Sequence, residues 1–219
     1  MDIVYEDNHI IIINKKAGEI VQGDKTGDTP LSEEVKKYLK EKYNKPGNVF
    51  IGVVHRIDRP VSGLVIFAKT SKALTRLNEM LRKGEIQKKY WALVEGHPEK
   101  EEDTLRNFVK SEQRNNKTFI VNKENPEAKE AVLSYSTIAK GERYTILEVN
   151  LLTGRKHQIR AQLSNIGHPI KGDLKYGAKR SNPDGGISLL ARSIDFIHPV
   201  SKTPVHAEAP IPSEFQKLL

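Results

Sequence analysis

The chain has 219 residues, 37% apolar and 29% charged, enough to bury a sizeable core in one large domain or two small ones. It has no cysteine, which excludes disulfides and thiolate metal sites, and its longest apolar run, "HIIIIN" at 9–14, is far too short to cross a membrane. The net charge of +8 suits an anionic partner, nucleic acid above all, although charge alone also serves solubility.

Apolar residues at 3–5 and 10–13 flank Asp7-Asn8 and predict a hairpin. The acidic "MDIVYEDNH" start has no signal-peptide pattern, and with the missing cysteines this favours the cytoplasm as the expected location. Residues 29–43 read as a helix: Thr29 as cap, Pro30 in the first turn, and Leu31, Val35, Tyr38 and Leu39 on one face. "NKPGN" at 44–48 ends it. "VFIGVVH" at 49–55 and "LVIFAK" at 64–69 read as two strands, so "HRIDRPVSG" between them is a loop; Pro60 prevents regular pairing and Gly63 permits a special backbone angle. Residues 71–83 form an amphipathic helix with Ala73, Leu74, Leu77, Met80 and Leu81 as its stripe and Gly84 as its stop. "QKKYWALVEG" at 87–96 alternates as a strand. The polar stretch 109–130 reads as a mobile hairpin over the site. "YTILEVNLL" at 144–152 is a strand, followed by a turn and a short helix in "TGRKHQIRAQLSNIG" at 153–167, and residues 187–202 read as a closing strand pair. Strands outnumber helices and come in runs, which predicts an α+β fold: a mostly antiparallel mixed sheet with helices packed on it.

Common machinery is missing. No glycine-rich phosphate loop, no GxGxxG, no G-x-S-x-G elbow and no H-E-x-x-H occurs, so neither a metal nor a nucleotide cofactor is expected. What remains is a lone acid, Asp58, between Arg56 and Arg59. Flanking guanidinium groups favour an ionised carboxylate. Such a group acts as nucleophile, base or stabiliser of a sugar cation, or else is a structural ion pair holding a tight loop. Arg155, Lys156 and His157 stand at a helix start, where free N–H groups and the helix dipole attract phosphate. Arg160 lies three residues on, on the same face, either reaching for a carboxylate such as Asp58 or simply solvated. Tyr90, after Lys88 and Lys89, is a core tyrosine on its strand context alone, or a base-stacking, proton-handling residue in an RNA site.

Taken in order, these segments resemble the RluA-type family of RNA pseudouridine synthases. "HRIDRPVSGL" is similar to that family's H-R-L-D-R-x-T-S-G-L signature. "VYEDNHIIIINKKAG", "KKYWALVEG", "LLTGRKHQIRAQLSNIGHPIKGDLKYG" and "FIHPVSK" resemble its other conserved stretches. Lys16 stands where the family commonly has Pro, Leu190 where it often has His, and Val61 for the usual Thr. The resemblance implies a single catalytic domain over 1–219 without a preceding S4-type domain, and a central cleft for RNA. It implies Asp58 as catalytic aspartate, Arg160 as its salt-bridge partner and Tyr90 packed on the target base. Arg56 is then an RNA contact, joined by Arg59, Lys88, Arg155, Lys156 and His157. The reaction moves uracil from its N1 to its C5 attachment on C1′ of a uridine in rRNA or tRNA, so no cofactor is required. The nucleotide must be flipped out of its stack, at a cost on the order of a few kcal/mol. No obligate protein partner or membrane is implied, and a monomer is the default. Two other readings stand beside it. A non-catalytic RNA-binding or chaperone module explains the charge but not Asp58. An RNA N-glycosylase lacks a second carboxylate to activate water.

Overall fold

A computed structural model describes residues 1–23 and 27–219. In chain order the elements are β1 (Ile3–Glu6), β2 (Ile10–Lys15), α1 (Leu31–Lys42), β3 (Gly52–Val53), β4 (Ser62–Ala68), α2 (Ser71–Lys83), β5 (Gln87–Glu95), β6 (Glu102–Glu112), β7 (Lys117–Val121), β8 (Lys129–Lys140), β9 (Tyr144–Leu151), α3 (Gln158–Asn165), β10 (Leu189–Ile197), β11 (Pro204–Glu208) and α4 (Ser213–Gln216). They form two compact units, Met1–Lys88 with Ala191–Pro210, and Lys89–Leu190 with Ile211–Leu219. The fold is α+β, as the run of strands predicts.

In the first unit the strands lie in the order β1-β2-β4-β10, with β11 on β10 and β3 on β4. The predicted β1–β2 hairpin forms, and Ile10 to Ile13 are all buried because β2 sits between β1 and β4. β4 pairs antiparallel with β2 from Ile10↔Ala68 to Lys15↔Gly63. The expected strand at 49–55 shrinks to Gly52–Val53, which pairs only with Phe67 and Ala68. The physical reason is competition: β10 also pairs with β4, on the side away from β2, and shares that edge with β3. Gly52 also lets α2 come close, since a Cβ there would lie 2.7 Å from a Leu74 methyl. α2 spans the predicted residues, capped by the Thr70 hydroxyl and stopped by Gly84 at φ 70°.

α1 begins differently from expectation. Pro30 is its N-cap with extended backbone, and no side chain caps it. Its first amides are satisfied by tertiary contacts instead: Leu31 N–H donates to Ile20 O and Ser32 N–H to Val21 O. The closing strand pair also shifts. Its second strand is Pro204–Glu208, beyond the expected 187–202, because "HPVSK" is itself the turn. There the His198 Nδ1 accepts the Val200 and Ser201 N–H groups, and His198 N–H donates to Thr203 O.

The second unit is an antiparallel sheet in the order β5-β9-β8-β6-β7. The polar stretch 109–130 proves to be the end of β6, the edge strand β7 and their turns. β6 escapes a simple apolar reading because only Leu105 and Val109 of its eleven residues are buried. α3 packs against β6 and β7.

Candidate active site

The loop after β3 hangs on two buried apolar residues, Ile57 and Val61. Between them the chain turns, and Val61 N–H donates to Asp58 O at 3.0 Å. Asp58 is left half-buried, while Arg56 and Arg59 are exposed. Asp28 takes the Arg59 guanidinium, so this arginine is already engaged within its own unit. The loop is fastened from beneath by a residue of the family-like "VYEDNHIIIINKKAG" stretch to which the sequence gives no role. Lys15, at the end of β2, is fully buried. Its ammonium donates to Arg59 O at 3.1 Å and to Lys16 O and Glu19 O at 2.8 Å each. Three protons meet three carbonyls. Burial pushes this amine down to about 8, against the pull of the Glu19 and Asp58 charges, so it still carries its proton at neutral pH. Gly18 N–H also donates to Arg59 O, at 2.8 Å.

His55, at the start of the loop, accepts the Ile66 N–H on Nε2 at 3.2 Å. Burial, with the Lys88 charge nearby, holds its pKa at about 3 and the ring neutral. Burial likewise lowers the pKa of Lys88. At the loop's far end Gly63 has φ 112°, and a Cβ there would fall 2.4 Å from Ala191 O. No other residue fits.

Tyr90, Arg155, Lys156, His157 and Arg160 belong to the second unit. Tyr90 is buried on β5 opposite Val149. The turn into α3 is built around buried Gln158. Its Oε1 accepts from the Arg155 amide and the Thr153 hydroxyl, and its Nε2 donates to Val132 O at 3.0 Å. Arg155 and Lys156 are thereby presented at the surface, and Arg155 Nε donates to Glu130 O. His157 differs from the sequence reading of a phosphate-facing residue. It sits in a left-handed conformation, φ 50°, with its ring buried and Nδ1 2.9 Å from the Tyr176 hydroxyl. The turn that exposes its two neighbours folds it inward.

Arg160 projects from α3 into the interior. Its Nε and Nη2 donate to the two oxygens of Asp173 at 2.7 and 2.9 Å. The Tyr176 ring lies 4.9 Å from its Cζ. Asp173 and Tyr176 lie inside the family-like stretch "LLTGRKHQIRAQLSNIGHPIKGDLKYG", where the sequence gives them no role, and Asp173 is also the single acid between Glu148 and Asp184. It is the same lone acid among cations that drew attention to Asp58. Among the described residues, no group of three or more His, Asp or Glu is arranged to hold a metal ion.

Two human structures share this fold. RNA Pseudouridylate Synthase Domain Containing 4 superposes with a TM-score of 0.81 at 21% identity, over 98% of this chain and 90% of that one. RNA Pseudouridylate Synthase Domain Containing 1 gives 0.73, also at 21% identity, over 96% and 83%. The architecture is thus that of the pseudouridylate synthases. The sequence carries the assignment further. The family model described as RNA pseudouridylate synthase matches residues 9–165. Ribosomal large subunit pseudouridine synthase C of Buchnera aphidicola (subsp. Baizongia pistaciae) is 33% identical over 99% of this chain and 69% of its own length. The synthase C of Vibrio cholerae is 32% identical over 99% and 68%. Ribosomal large subunit pseudouridine synthase D of Zymomonas mobilis is 32% identical over 100% and 71%. The chain belongs to the RNA pseudouridylate synthase family. Its reaction is the isomerisation of uridine in RNA: the C1′–N1 bond breaks, a C1′–C5 bond forms, and the C5 proton is lost to solvent while N1 gains one.

Proposed function

We propose that the protein modifies large-subunit ribosomal RNA in the cytoplasm, as a monomer whose 219 residues act as one catalytic domain, with Asp58 as the catalytic carboxylate. The names of its relatives favour that RNA over transfer RNA. The observation that carries the assignment of Asp58 is its setting. It is a half-buried acid between exposed arginines, on a loop whose backbone a buried ammonium holds. A carboxylate of no function would repel phosphate in such a place. Arg160 is its partner guanidinium in the reaction and Tyr90 packs on the flipped base. Arg56, Arg59, Lys88, Arg155 and Lys156 contact the RNA backbone. The buried His157 shapes the α3 turn and does not itself touch phosphate. No cofactor takes part, because nothing is oxidised and no group leaves the molecule.

The test is Asp58→Asn, assayed by tritium release from uridine C5 in a large-subunit rRNA transcript, alongside filter binding. Product formation is expected to vanish while RNA affinity holds. Undiminished product would end the assignment, and free uracil would point to glycosidic hydrolysis instead. Mapping pseudouridines in ribosomal and transfer RNA with and without the gene identifies the substrate.

A further inference from the structure

Arg160 is held by a cage that the second unit builds by itself. Asp173 is 1% exposed and Arg160 5%, and the two-bond pairing fixes one edge of the guanidinium fork. The Tyr176 ring covers the guanidinium at 4.9 Å. That ring is secured by its hydroxyl, which accepts the Thr118 N–H at 2.8 Å and meets His157 Nδ1 at 2.9 Å. The Thr118 hydroxyl in turn donates to Lys156 O at 2.9 Å, tying edge strand β7 to the α3 turn. Asp173 is placed by its own short helical turn, where its carbonyl accepts the Tyr176 and Ala178 N–H groups.

A buried ion pair is a poor device for stability, since apolar side chains of like volume do as well or better. It is a good device for direction. Arginine's planar fork, gripped along one edge and stacked on one face, keeps its other edge in a single orientation. Fixed donors of this kind assist a reaction because nothing has to reorganise as charge develops. Pairing with Asp173 also cancels the net charge of Arg160, so the pair contributes orientation and little attraction for phosphate.

We infer that Asp173 and Tyr176 are positioning residues, which act on the isomerisation by holding Arg160 in one orientation. The inference rests on the role of Arg160 in the reaction proposed above. Single-turnover tritium release at saturating rRNA transcript, filter binding and thermal melts are measured for Asp173→Asn, Arg160→Lys and the double variant. Asp173→Asn is expected to slow turnover by about tenfold or more with affinity within about threefold, and the double variant to be no slower than Arg160→Lys. A folded Asp173→Asn protein at full rate, a loss confined to affinity, or losses that multiply in the double variant would each overturn the inference alone. Full turnover by Arg160→Lys would instead bring down the role of Arg160, and this inference with it. Should Asp173→Asn not fold, Tyr176→Leu against Tyr176→Phe decides. Phe keeps the ring over Arg160 and loses only the hydroxyl bonds, so it is expected to slow turnover less than Leu, which is expected to fall about tenfold; equal rates overturn the inference.

Discussion

Lys15 illustrates how much a single residue decides in this protein. An ammonium with three protons sits against three backbone carbonyls, one of them on Arg59 beside Asp58. Hydrogen bonds to a charged group contribute about 1.5–3 kcal/mol each, and carbonyls stranded in the interior carry a penalty of their own. Lys15→Met is therefore expected to destabilise the fold by roughly 3 kcal/mol or more in urea melts. It should also slow turnover, because the Asp58 loop loses its anchor. A melt unchanged from wild type would mean that the three bonds contribute nothing.

Two elements depend on residues that look unremarkable in isolation. Gly63 lets β4 start at φ 112° against the backbone of Ala191. Gly63→Ala adds backbone strain on the order of 1–3 kcal/mol to a backbone collision. Loss of soluble folded protein, or a sharply lowered urea midpoint, is the expected outcome. Glu6 joins three elements at the end of β1. Its two oxygens accept from Tyr38 and Lys42 of α1, Tyr43 just after it, and Lys69 just after β4. Burial alone would raise its carboxyl, but these four donors outweigh burial and hold it at about 2. The folded value lies below the unfolded one, so its contribution is complete above about pH 4.5 and is lost as pH falls toward 2. It is on the order of 2–3 kcal/mol for this largely covered group. Glu6→Gln is expected to lower stability at neutral pH by that amount and to flatten the acid limb of stability against pH. An acid limb identical to wild type would assign the dependence to other carboxylates.

For the whole molecule, a net charge of +8 makes RNA binding a matter of ionic strength. Affinity should fall steeply between low and physiological salt. Arg155→Ala with Lys156→Ala is expected to weaken binding without abolishing turnover at saturating RNA. The slope of log affinity against log salt should become shallower by about 0.7–0.9 for each phosphate that the variant no longer neutralises. An unaltered slope in filter binding would show that these exposed cations do not meet the backbone.

Local patterns were sufficient for α2, β2, β4, β5 and β9, because period, caps and β-branched runs act over a few residues and need no partner. They were also sufficient to single out Asp58 and the basic segment at 155–156, since an acid among cations is anomalous on its face. They failed where a distant strand competes for an edge, as at β3, where tertiary carbonyls cap a helix, as at Leu31 and Ser32, and where solvent on one face leaves polar residues in a strand, as in β6. The inward turn of His157, the grip of Asp173 on Arg160 and the clamp of Lys15 were illegible for the same reason. Each joins residues distant along the chain or separated by a turn, and burial, which gives a charge or a hydrogen bond its strength, comes into being only when the chain has folded.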